Sequence, residues 1–564
     1  MISLRCARFL LALLLCVAGT PAMAVVVRAC TTDVQQGAGT NLAEAIEAGG
    51  VITFDCPGPS PVTLLVTRGY MIDGQVRIFG GGRVILKIES GPAFTVTRPG
   101  LLQLAGLEIV GGTTPMLPAP PGSPRLFYVA GGTVVLDGTT VKSIAEQLAY
   151  VAAGGSLVLT GKSHLSGIRG GLTVDGADLT IAAGSVLERW DSPVKVRKGH
   201  VAISAADFDR AKLLLRDCEL TINDSKFFNS DVRSRGEDGG ALETNCTGTI
   251  ANSRFSNNKA VNGGALHVIP GSSGYLTITQ VEFLNNVALG NGGGAYLSSA
   301  AGRLPVGDAP RLSIDLTYAT FKGNAANEGG GLYATGVTVR AARFTSNSSV
   351  ARGGGYFGNG RGSMQRASFV KNTAGTEGGG AFAFASTFSN VLITRNTAPR
   401  GAGLFGGNME LVNVTVAENN GTGLDSGSFS AGFRLRNVLV VNNSGGNCAL
   451  SGPAPAVSAA STSLQFPASV CGAAIPVQDP YLDSLFAPVS GSRARTGGDL
   501  LACTSYPVSG KDLYGEPRPQ GRSCSIGAVE GSVDRLVFKR FKDPGSTAQE
   551  LNQQVLDWAR QVPR

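Results

Sequence analysis

The densest mixture of acidic and basic side chains lies at 207–219, where Asp207, Asp209, Arg210 and Lys212 are followed by Asp217 and Glu219. Elimination chemistry on an acidic polymer needs a base such as Lys or Arg beside a group that neutralises a carboxylate. Hydrolysis of a glycosidic bond needs two carboxylates set apart across it, one with a raised pKa. The cluster holds residue types for either, and it is the one stretch singled out for catalysis. Its expected setting, however, is a solvated loop leading to Cys218.

Other chemistry has less to draw on. The three histidines, His164, His200 and His267, show no partner by spacing, and His267 is expected at a solvent-facing strand position. No NTD, DD or GHG string occurs, the nearest being Gly199-His200-Val201. Nucleophile-elbow, phosphate-loop and metal-helix signatures are also missing from the sequence. Without Cys6 and Cys16, eight cysteines remain: Cys30, Cys56, Cys218, Cys246, Cys448, Cys471, Cys503 and Cys524. They form couples separated by 26, 28, 23 and 21 residues. No CxxC is present, so disulfides in an oxidising compartment are expected rather than zinc. Pairing within couples is the preferred connectivity, although sequence alone leaves others open. No metal and no cofactor is expected.

The elements that must position these residues follow a repeat of about 24 residues. An apolar residue recurs with Asn three positions later: Phe255/Asn258, Phe283/Asn286, Phe321/Asn324, Phe344/Asn347, Phe369/Asn372, Ile393/Asn396, Val416/Asn419 and Leu439/Asn442. Glycine clusters follow, reading GGAL at 263–266, GGAY at 293–296, GGLY at 330–333, GGYF at 354–357 and GGAF at 379–382. A fixed period of this size means one structural unit stacked on itself. Short β-rich runs with Gly and Asn corners make that unit a coil, and the fold class is all-β: a single-stranded right-handed parallel β-helix with short capping helices at its ends.

Within a coil, the phenylalanines should stack inside, and the asparagines through Asn442 should form an amide ladder at a corner that tolerates left-handed backbone. Gly264, Gly294, Gly331, Gly355 and Gly380 should sit where a Cβ would clash. Asn291, Glu328, Arg352, Glu377 and Arg400 should form an alternating-charge column that favours the stacked register. Weaker copies of the repeat run from Val134 through Leu157 to Leu179.

Residues 1–24 read as a signal peptide: Arg5 and Arg8, an apolar run from Phe9 to Ala18, and cleavage after Ala24. Residues 25–56 read as an N-terminal cap, with Asn41 and Glu44 opening a short helix that Gly49-Gly50 stops. Coils are expected over 57–447, most regular at 227–442. A disulfide-containing cover should occupy 448–530, and a tail at 531–564 should carry an amphipathic helix near its end. Proline-rich 113–124 and the segment 301–310 read as inserts. After removal of the two signal arginines, 46 basic and 40 acidic residues leave +6, scattered without a basic block, which excludes nucleic-acid binding as the main role. Glycine, at 79 residues, has no G-x-y period, so collagen is excluded.

The FxxN and GGA[ILV] pattern resembles the repeat of the polymorphic outer-membrane protein family. That resemblance implies a β-helix used in adhesion. The segment Cys30…Leu42-x-x-Ala45-Ile46…Gly49-Gly50-Val51-Ile52-Thr53-Phe54-Asp55-Cys56 is similar to the opening of bacterial surface proteins with a choice-of-anchor Q domain. Asp512-Leu513-Tyr514-Gly515-Glu516-Pro517-Arg518-Pro519…Cys524-Ser525-Ile526-Gly527-Ala528-Val529-Glu530 resembles their closing segment, with Ser525 where the family usually has Asp. No barrel, sorting signal or other integral membrane anchor is read in the sequence. The expectation is therefore a secreted, cell-surface or periplasmic protein that binds a polysaccharide or a cell-surface receptor. A polysaccharide-active lyase or glycoside hydrolase on the same fold is the second reading.

Overall fold

The computed structural model describes residues 24–531 apart from 38, 90, 112–123, 183, 272–273, 300–311, 430–431, 451–455 and 458–461. The signal peptide, both inserts and the C-terminal tail helix therefore lie outside the described residues. The chain divides into two compact units, Met1–Phe228 and Asn229–Arg564. Each is a right-handed parallel β-helix, the hand that strand–crossover–strand connections adopt.

In the first unit, each regular coil gives one strand to a second sheet and two to a main sheet. Gln147–Ala152, Ser156–Thr160 and His164–Ile168 make one such coil, and all their ladders are parallel. Alternation sends every second side chain inward. Val134, Leu157, Leu179, Val201 and Leu220 fall in one register and stack as a buried apolar column. The open end is covered by helix Leu42–Ala48. Its capping box is closed by Glu44 N–H donating to Asn41 Oδ1 (2.9 Å) and Asn41 N–H donating to Glu44 Oε2 (3.3 Å). Leu42, Ala45 and Ile46 are buried beneath it, and a Cys30–Cys56 disulfide ties the cap to the first coil.

The second unit is the more regular. Phe255, Phe283, Phe321, Phe344 and Phe369 are fully buried and stack ring on ring, with centroids 5.3, 4.7, 4.9 and 4.7 Å apart. Ile393 continues their register, followed by Val416 and Val440. Beside them the asparagine amides run unbroken from Asn258 through Asn286, Asn324, Asn347, Asn372, Asn396 and Asn419 to Asn443. Each Nδ2 donates to the next Oδ1 at 2.8–3.1 Å.

Three details correct the sequence reading. The last rung is Asn443 and not Asn442, which is exposed. Its anchor is accordingly Val440 and not Leu439, because Val416 pairs with Val440. The left-handed backbone belongs to the residue before each ladder asparagine, such as Asn257, Asn285, Ser346 and Lys371, and to Asn442 itself. A ladder asparagine must turn its amide inward, so the corner is made one residue earlier. Gly264 is also one place out of register with Gly294, Gly331, Gly355 and Gly380, since Leu266 pairs with Ala295. At Gly355 a Cβ would lie 2.6 Å from Gly380 O and 2.9 Å from the Phe369 ring, so close packing rather than positive φ requires glycine there.

The chain then folds back. Residues 478–531 run along the outer face of this unit's main sheet, where Phe486, Leu513, Ile526 and Val529 pack on Leu392, Leu439 and Leu464. Asn390 and Asn437, both left-handed corner residues, bond outward to this cover. Asn390 Nδ2 donates to Lys511 O (2.8 Å), and Asp499 N–H donates to Asn437 Oδ1 (2.7 Å). Disulfides join Cys448 to Cys471 and Cys503 to Cys524. Cys218 belongs to the first unit and Cys246 to the second.

Asp499 caps helix Leu500–Thr504, accepting from Leu501 N–H (2.9 Å) and Ala502 N–H (3.3 Å), and it pairs with Arg436 Nη2 at 3.0 Å. Burial pushes its carboxyl up, but the Arg436 bond and the two N–H groups outweigh that and hold it below 3.8. A depressed native pKa contributes stability above the unfolded value that is lost as pH falls through the native one. The thermal-stability deficit of Asp499→Asn should therefore be fully present near neutral pH and shrink as the pH falls below the ordinary carboxylate range. A deficit unchanged at the lower pH would refute this.

Candidate functional site

The structure spreads the 207–212 cluster over one strand, a corner and the entry to the next strand. Asp207 and Asp209 flank the buried Phe208 on strand Asp207–Asp209, and Arg210 follows in a left-handed corner. Asp207 lies 3.7 Å from Lys226 Nζ. Arg210 Nη2 lies 3.5 Å from Asp209 and 4.0 Å from Glu188. Lys212 is beyond the corner, buried at the entry to the next strand.

The histidines, expected to be alone, have carboxylate neighbours one coil away. His164 Nε2 is 3.0 Å from Glu188 Oε2. His200 sits between Asp178 at 3.0 Å and Glu219 at 3.4 Å. These are cross-rung imidazole–carboxylate contacts on exposed or half-exposed faces, where each contributes about 0–1 kcal/mol. Among the described residues, no group of three or more His, Cys, Asp or Glu is placed to hold a metal ion.

A more extended feature lies on the second sheet of the second unit. Each strand there alternates, so Leu332 faces in while Tyr333 faces out. The outward positions His267, Tyr296, Tyr333, Phe357, Phe382 and Phe405 share one register. From Tyr296 onward the rings stack at 4.8, 4.7, 4.8 and 5.3 Å, within 14° of parallel. His267 begins the row edge-on to Tyr296 and is only 8% exposed, which corrects its expected solvent-facing setting.

The charged column runs beside this row. Asn291 bridges to Glu328, and Glu377 bridges to both Arg352 and Arg400. Arg352 pairs with Glu328, while Arg400 pairs with Glu377 at 3.0 Å and Asp425 at 3.3 Å. The guanidinium groups also cover the rings, Arg352 lying 4.9 Å from the Phe382 centroid and Arg400 4.9 Å from that of Phe405. The row ends in a shallow cavity of about 330 Å³, where Phe384 and Phe429 meet edge-on at 4.4 Å beside Arg400 and Phe405.

Phe357, Phe382 and Phe405 are themselves buried, at 5%, 2% and 3% exposed, so the rings form an apolar floor and solvent meets chiefly the half-exposed guanidinium groups of Arg352 and Arg400 with their carboxylate partners. Donors and acceptors alternate at a spacing of about 4.8 Å along an apolar floor. Three carboxylates, Glu328, Glu377 and Asp425, stand against two guanidinium groups. An arrangement so nearly neutral suits hydroxyl-rich, uncharged ligands better than polyanions.

No protein-family model matches the chain, and no curated protein matches it. Among solved structures it is similar to the catalytic domain of GH87 alpha-1,3-glucanase in complex with nigerose. Identity there is 10% and TM-score 0.29, over 66% of this chain and 64% of that one. It thus spans somewhat less than two thirds of that domain. The mannuronan C-5 epimerase AlgE6 A-module of Azotobacter vinelandii matches at 14% identity and TM-score 0.19, over 76% of this chain and 93% of that module. With likenesses this distant, the fold rests on the strand ladders themselves.

Proposed function

We propose that this chain is an exported, non-catalytic binding protein whose second unit presents the aromatic and charged face to a neutral polysaccharide of a cell surface or matrix. The column of Arg352 and Arg400 with Glu328, Glu377 and Asp425, laid over the buried aromatic floor and ending at the exposed Phe429, carries this reading. A repeating face meets a repeating polymer in many registers, which gives retention through numerous weak contacts. Adhesion is the corresponding biological role, and local disulfides suit an oxidising exterior.

Residues 25–564, mixed with neutral and acidic polysaccharides and resolved by size exclusion, should co-elute with a neutral polymer whose length is unchanged. The double variant Arg400→Ala/Phe429→Ala should weaken retention about tenfold, or about 1.4 kcal/mol. Preferred retention on acidic polymers, or variant retention equal to the parent's, would overturn the assignment. Shortened polymer would favour the polysaccharide-active alternative. That alternative draws support from Glu410, a half-buried carboxylate with no ion pair among the described residues.

A further inference from the structure

A second groove of about 330 Å³ lies where the cover's helix Leu500–Thr504 crosses the outer face of the main sheet in the second unit. Val412 packs against Ala502 and Val508 and seats the helix there. The floor is made of two outward rows. One runs Ser363, Thr387, Glu410 and on to the exposed Arg434, and the other Gln365, Ser389, Val412, Arg436, with Ser389 fully buried beneath the groove.

The second row is unusual in its polar atoms. Gln365 Nε2, Ser389 Oγ and Arg436 Nε are all buried and make no hydrogen bond to any described residue. Buried polar groups nearly always find partners, and each one left without costs about 1–3 kcal/mol. Three on one row within three coils, one coil and then two coils apart, is a concentration that core packing does not explain. The rows also hold an acceptor, since Glu410 has no partner among the described residues. Over the groove stands Tyr506, 79% exposed, with Leu501 also largely exposed beside it.

Amide and guanidinium donors, a carboxylate acceptor, hydroxyls and an exposed ring complement vicinal diols on a flat apolar ring, which is the chemistry of a sugar. The charges select within that class. Arg436 and Asp499 neutralise one another, and Glu410 is followed in its row by the exposed Arg434, so the groove has no net charge with which to favour an acidic sugar. From Gln365 to Arg436 is three coils, or about 14 Å, which is more than one hexose can span. We propose that this groove is a binding site for a short neutral oligosaccharide, held by Gln365, Glu410 and Arg436 and stacked on Tyr506. It is separate from the aromatic row and does not depend on it.

Saturation-transfer NMR on residues 25–564 with maltose, cellobiose, lactose and mannobiose tests the site, with digalacturonate as the acidic comparator. At least one neutral disaccharide should bind with a Kd of about 1 mM or tighter. Tyr506→Ala and Glu410→Gln should each weaken it about tenfold. Gln365→Leu is the decisive variant, because removing an unpartnered donor should leave the melting temperature unchanged or raised while binding is lost. Arg400→Ala, in the aromatic face, should leave disaccharide binding intact even where it reduces retention on polymer. The site is overturned if no neutral disaccharide binds, if digalacturonate binds more tightly, or if Gln365→Leu and Tyr506→Ala bind as the parent does.

Discussion

Asn372→Ala should destabilise the second unit by about 4 kcal/mol or more, since several buried polar groups lose their partners together. Asn372 Oδ1 accepts from Asn347 N–H (3.0 Å) and Asn347 Nδ2 (2.9 Å). Its Nδ2 donates to Phe344 O (2.9 Å) and Asn396 Oδ1 (2.9 Å). All four partner groups belong to residues in the fully buried ladder and its adjoining phenylalanine stack. A methyl group restores none of these bonds, and the neighbouring coils hold the gap open. Asn442→Gly is the matched control. That residue is exposed and left-handed, so glycine should be near neutral, within about 0.5 kcal/mol. Calorimetric unfolding of both variants decides the matter, and equal effects would refute the ladder's role.

The second large effect concerns the cover. Arg518 and Glu530 are 0% and 1% exposed and pair through Nε and Oε2 at 2.9 Å. Arg518 also donates to Asn390 Oδ1 (3.1 Å) and Gly527 O (2.9 Å), while Glu530 accepts from Gln520 N–H (3.2 Å) and Ser525 N–H (3.1 Å). One buried pair therefore ties the closing segment to itself and to a corner of the main sheet. Arg518→Met leaves a buried carboxylate without its cation and should cost about 3–5 kcal/mol. The loss should appear in hydrogen exchange over 480–531, with the Phe255–Phe369 coils keeping their protection. Arg518→Met/Glu530→Leu should recover much of the stability, because both charges are then gone. A double variant no better than the single would show that the pair's charge is not what matters.

The period, the phenylalanine stack and most of the asparagine ladder were legible in the sequence because identical chemistry recurs at one spacing. Errors arose where two positions favour the same residue. Asn442 and Asn443 are adjacent, one suited to a left-handed corner and the other to the ladder, and spacing from Leu439 or Val440 fits either. Gly264 was misplaced because Ala265 stands where later coils carry the last glycine of the cluster.

The outward aromatic row was hidden inside the glycine clusters. In Gly-Gly-Tyr356-Phe357 both aromatic residues look like core, and only strand alternation separates the inward Tyr356 from the outward Phe357. The carboxylate neighbours of His164 and His200 lie 24, 22 and 19 residues away, across coils whose spacing is less even than in the second unit. The groove beneath helix Leu500–Thr504 has no local signal. It exists because a non-repeating segment returns across coils more than 60 residues earlier in the chain, as the Arg436–Asp499 contact with its separation of 63 shows.

The asparagine ladder also bears on how such a chain can change length over generations. Its rungs from Asn324 to Asn443 are 23, 25, 24, 23 and 24 residues apart. The rung before them spans 38. A tandem duplication of one whole coil therefore adds a rung that accepts from one neighbour and donates to the other, with no existing bond broken. A duplication a single residue longer or shorter within a strand would turn its core positions outward. Descent should thus alter such a chain in whole-coil quanta and in corner insertions, and the length of its charged column would be inherited as an integer.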